Sequence, residues 1–80
     1  MTERVKLIWD FRGPNAKPIA EHHAKHLAEF AIAEDIQNPL IGEEKISEMH
    51  HTAFLVVDKN LMTTLREALT PTRGEIYDTE

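Results

Sequence analysis

The chain has 80 residues, 41% of them apolar and 29% charged, with five histidines, no cysteine and a net charge of −5. That length holds one domain, spanning residues 1–80, and the balance is that of a folded protein, which excludes wholesale disorder, collagen-like repeats and a disulfide scaffold. The negative charge excludes the basic footprint of non-specific nucleic-acid binding, and the longest apolar run, Ala53-Phe54-Leu55-Val56-Val57, is far too short to cross a membrane.

The amino terminus lacks a charged-then-apolar signal layout, and cysteine is absent, so a cytoplasmic location is expected. A chain of this size buries only about 60–65% of its extended surface. Without disulfides, oligomerisation is the usual remaining support, and a homodimer is expected.

In chain order, residues 4–12 read as a strand. Val5, Leu7, Trp9 and Phe11 alternate with Lys6, Ile8, Asp10 and Arg12, which gives one strongly apolar face. Gly13-Pro14-Asn15 ends it. A helix follows from residue 16 or 17 to 34, with Pro18 in its first turn. Ala20, Ala24, Leu27 and Ala31 form its apolar stripe, flanked by Ile19, His23 and Phe30. Glu21, Lys25 and Glu29 lie on the solvent side.

Residues 35–44 read as a loop marked by Asn38-Pro39 and Gly42, with Leu40 and Ile41 turned into the core. Residues 45–49 form a short strand. Residues 51–58 form a second clear strand with no polar face, as expected of a central strand covered on both sides, by the chain's own helices and by a partner subunit. Asp58 or Asn60 caps a second helix, whose stripe is Leu61, Met62, Leu65, Ala68 and Leu69. Thr70-Pro71 stops it. A last short strand lies within 73–78, around Ile76 and Tyr77, and the acidic residues 78–80 fray.

The element order fits an α+β, ferredoxin-like βαββαβ plan: an antiparallel sheet with two helices on one face. Trp9, Phe11 and the run around Phe54 would then supply the other face for pairing two sheets into a dimer.

Asp10 near the end of the first strand, His26-Leu27 within the helix and Phe30 one turn later give the chain a resemblance to the small dimeric α+β-barrel proteins, YciI-like proteins in particular. In that family an Asp–His pair at the sheet–helix junction forms the active site. The resemblance implies that Asp10 orients His26, or else His23.

The histidines are the chemically loaded residues, because imidazole titrates near neutral pH and ligates metals. His22 and His26 are four apart and share one helix face, a spacing that suits two ligands on one ion. The Glu of a His-Glu-x-x-His zinc site is missing, because His23 follows His22. His50 and His51, adjacent on a strand, must point to opposite faces.

The first expectation is therefore a small-molecule pocket between helix and sheet, or at the dimer seam. His26, His23 and Asp10 would act as the acid/base group, with His50, His51 and Trp9 about the ligand and no cofactor. The alternative is a module that binds zinc or another divalent transition metal through His22, His26 and His51. A third reading is a non-catalytic structural or interaction domain.

Overall fold

The computed structural model describes residues 3–36 and 39–77. Strand β1 is Arg4–Arg12, helix α1 is Ala16–Ala33, β2 is Leu40–Ser47 and β3 is His50–Asp58. A single 3-10 turn, Lys59–Leu61, leads into helix α2, Met62–Leu69, and β4 is Arg73–Tyr77. The four strands form one antiparallel sheet in the order β2-β3-β1-β4. The fold is α+β and compatible with the ferredoxin-like plan. Among the described residues no helix is long and apolar enough to cross a membrane.

Period two in β1 and β3 determines which side chains meet. Val5, Leu7 and Trp9 stand opposite Val57, Leu55 and Ala53, and these six form one core with Leu27 of α1 and Leu65 of α2. Both helices thus cover the same sheet face. Trp9 also reaches α2 with its polar end, its Nε1–H donating to the Leu69 carbonyl at 3.0 Å. Phe11 packs against this core as well. Trp9 and Phe11 therefore do not supply an outer face for sheet pairing, as the sequence had suggested, because their alternation commits both to the helix side.

The other face, which no helix covers, carries Arg4, Lys6, Ile8, Asp10 and Arg12 beside His50, Thr52, Phe54, Val56 and Asp58. Val56 is fully buried here without a second subunit, and Ile8 is only 3% exposed. Cross-strand neighbours explain this: Val56 lies between Lys6 and Leu40, and Ile8 between Phe54 and Arg73. Lys6 lies over the Phe54 ring, 4.5 Å from its centroid, and pairs with Glu44 at 2.6 Å.

The carboxy-terminal ends of the two helices follow capping chemistry. At the end of α1, Asp35 adopts φ 53°, the Asp35 N–H donates to Ile32 O, and the Ile36 N–H donates to Ala31 O. This is a Schellman closure, with Ile36 returning to the core. Thr70 ends α2 in the same left-handed region, φ 45°, before Pro71.

Two further expectations fail. β2 starts at Leu40, inside the stretch read as a loop, and the short strand expected at 45–49 is the tail of this longer one. It is an exposed edge strand held by hydrogen bonds to β3, so it has no burial pattern to betray it. Gly42 in its middle reads as a loop signal, yet a Cβ there would stand 2.9 Å from Phe54 Cζ, so the glycine makes room for the ring. The second failure is the cap: Asp58 precedes the 3-10 turn without a side-chain capping bond and lies 3.9 Å from Arg4 instead. Asn38 and residues 78–80, assigned to a turn and a frayed end, lie outside the described residues.

Trp9→Phe removes the donor to Leu69 and leaves that carbonyl unpaired at the α2 terminus. It is expected to cost about 1–3 kcal/mol in urea unfolding and to speed amide exchange at Leu69 and Thr70 more than in β3.

Candidate functional site

Where β1 ends and β3 and β4 begin, the uncovered sheet face gathers three charged or titratable side chains. Asp10 stands opposite Thr52, so His50, two residues earlier on β3, is its diagonal neighbour. Arg73 stands opposite Ile8 and is the diagonal neighbour on the other side. His50 Nε2–H donates to Asp10 Oδ1 at 2.7 Å. Arg73 donates from Nε to Oδ2 at 3.1 Å and from a terminal nitrogen to Oδ1 at 3.4 Å. The backbone helps to hold the cluster, since the Asp10 N–H donates to Thr72 Oγ1 and the Thr72 N–H to Ile8 O.

The side chains of Asp10 and His50 are only 10% and 14% exposed, so these charge-assisted bonds are partly shielded from water. The Arg73 guanidinium, helped by His50, holds the Asp10 carboxyl below its ordinary 3.8 despite the opposing effect of burial. Asp10 in turn raises Arg73. The carboxylate is thus ionised and acceptor-only, and it selects the His50 tautomer with the proton on Nε2. Nδ1 of His50 takes no part in this bond.

His51 points the other way, as strand alternation requires, and is 7% exposed on the helix side. It lines an open cleft of about 450 Å³ with Pro14, Lys17, Glu43, Lys45 and Glu48. Burial and the neighbouring Glu21 raise the Glu43 carboxyl above its usual range.

His23 lies on the inner side of α1. Its ring is 4.9 Å from Trp9 and 5.4 Å from Phe11, centroid to centroid, and its Nε2 is buried with no hydrogen-bond partner among the described residues. Burial, followed by His26 and His22, pushes it below its ordinary 6.5, so it is neutral at neutral pH. His22 and His26 are exposed and contact each other on the outer side of the helix.

The expected site is therefore divided. His23 and Trp9 meet, but Asp10 lies across the sheet from them, because adjacent residues of β1 face opposite ways. Asp10 bonds to His50 and Arg73, while His26 contacts His22 and Glu29, so the Asp10–His26 pair is not formed. The three-histidine metal set fails similarly: His51 is buried under the helix layer and His22 and His26 face outward. Among the described residues no group of three His, Cys, Asp or Glu side chains could hold a metal ion. Arg73 was missed altogether, since only the β1–β4 register brings it to Asp10.

Two pH dependences follow, with the same sign. His23 has a lowered value in the fold, so its contribution is complete above 6.5 and is lost as pH falls through the folded value. His23→Phe, which also removes the unpaired nitrogen, should flatten the loss of stability on acidification below 6.5. The Asp10 contribution is complete above 3.8 and fades as pH falls below it, so Asp10→Asn should flatten only that more acidic limb. Urea unfolding of the wild type and both variants from pH 7.5 to 2.5 checks the two windows.

Compared with known proteins, the chain matches no family model, no curated protein and no solved structure, which neither supports nor refutes a YciI-like resemblance.

Proposed function

We propose that the Asp10–His50–Arg73 cluster is a histidine acid/base site for a small organic molecule, in a protein that works as a homodimer. The observation that carries this reading is the 2.7 Å bond from His50 Nε2 to a carboxylate held ionised by Arg73, with both pair members largely withdrawn from water. In this reading His50 Nδ1 accepts a proton from the bound molecule. Asp10 keeps the ring in its tautomer and stabilises the imidazolium that forms. Arg73 positions Asp10, and its half-exposed guanidinium is available to an anionic group of the ligand.

The dimer reading rests on chain size and on this face. It carries no helix, and its mixed charges (Arg4, Lys6 and Arg73 against Glu44, Asp58 and Glu75) suit self-complementary pairing about a two-fold axis. A second copy laid across it would wall the cluster and exclude water.

A structural role is the competing reading, favoured by one observation: the same bonds fasten the start of β4 to β1 and β3. Imidazole-detected NMR of the wild type, His50→Gln and Asp10→Asn, during a fragment titration, separates the two. The acid/base reading expects the Nε2–H tautomer at His50, fragment-induced shifts at His50 and Arg73, and loss of those shifts in His50→Gln while the fold is retained. If no fragment perturbs His50, or if His50→Gln responds like the wild type, the cluster is structural. Light scattering at micromolar concentration should give twice the 9.2 kDa chain mass. A monomer would remove the dimer and leave the cluster to be judged alone.

A further inference from the structure

The outer face of α1 carries two imidazoles that neither the core nor the open-face cluster uses. His22 and His26 lie about one turn apart, both exposed, with their Nε2 atoms 2.8 Å from each other and their ring planes at 81°. Behind His26, Glu29 Oε1 lies 3.4 Å from Nδ1. We propose that His22 and His26 form a two-histidine chelate for a divalent first-row ion that favours square-planar or tetragonal geometry, Cu(II) or Ni(II), with Glu29 as the positioning residue behind His26.

The nitrogen separation is compatible with a cis pair of ligands on one ion. Two nitrogens each about 2.0 Å from one ion stand about 2.8 Å apart when the angle between them is about 90°, and about 3.3 Å apart at a tetrahedral angle. The observed 2.8 Å is the length of an Nε2–H···Nε2 hydrogen bond, and it equals the cis separation that Cu(II) and Ni(II) favour. Both nitrogens therefore reach one ion once the shared proton leaves and the rings turn to aim their lone pairs at it.

The carboxylate behind the ring follows the usual outer arrangement of metal-binding histidines. Glu29 Oε1, 3.4 Å from Nδ1 of His26, electrostatically favours the proton on that nitrogen, and so the tautomer whose Nε2 lone pair is turned toward His22. His22 now shares a proton with His26 through Nε2, and on binding that proton moves to its own Nδ1, so both ligands remain neutral imidazoles and no net proton is released. Water fills the remaining positions, and no strand histidine is required.

This proposal is independent of the acid/base reading, since it shares no residue with it. The test is titration of untagged protein with Cu(II) chloride, followed by calorimetry and electron paramagnetic resonance. A one-to-one complex with two coordinated imidazole nitrogens is expected. His22→Ala and His26→Ala should each weaken it by about tenfold or more, and Glu29→Gln by about tenfold. His50→Gln and His51→Gln should leave it unchanged, and Ni(II) should bind more weakly than Cu(II). Because His22 and His26 are exposed, their variants should keep the wild-type urea transition without metal. A two-nitrogen spectrum that persists in the His22→Ala/His26→Ala double variant overturns the proposal. So does wild-type binding no tighter than that of the double variant.

Discussion

The antiparallel pairing of β1 with β3, from Arg4 opposite Asp58 to Arg12 opposite His50, is the constraint on which every other contact is laid. It occupies the middle of the sheet, with β2 added to one side and β4 to the other. A slip of one residue would turn Val5, Leu7 and Trp9 away from Leu27 and Leu65, so the core permits a single register. That register also decides the chemistry. It places Asp10 on the uncovered face, makes His50 its neighbour and sends His51 under the helix layer.

The two faces consequently hold polar groups in different ways. On the helix side, His23 keeps its ring neutral against Trp9 and Phe11, where Nε2 has no partner among the described residues. On the open side, Asp10 remains charged because guanidinium and imidazole approach it from two strands. Burial opposes charge in both places, and only the second has partners that outweigh it.

Much of the fold was legible because burial imprints a period. Val5, Leu7, Trp9 and Phe11 showed β1, and Ala20, Leu27 and Ala31 showed α1. The apolar run from Ala53 showed β3 at the sheet's centre. β2 was hidden because an edge strand is held by its backbone, and its Glu43-Glu44-Lys45 carries no apolar alternation. The site was legible only as an inventory. Asp10 and the histidines stood out as residue types, and alternation foretold that His50 and His51 must part. Which of the two would face the helices depended on pairing between residues some forty positions apart, and Arg73 lies 63 positions from Asp10. No local pattern carries information at that range.

The placement of the first strand at the centre of the sheet bears on how the chain reaches this state. Of the described elements β1 is synthesised before the others, yet it pairs with β3 and β4, which are made only after α1 and β2. Its apolar stripe therefore has no native strand to pair with until β3 has been made. Local structure in α1 can form early, whereas the sheet must close loops of roughly forty to seventy residues, and this makes closure late and comparatively slow. During that interval the stripe from Val5 to Phe11 is the segment most exposed to wrong partners. Completion of β3 is thus the event that shelters the nascent chain.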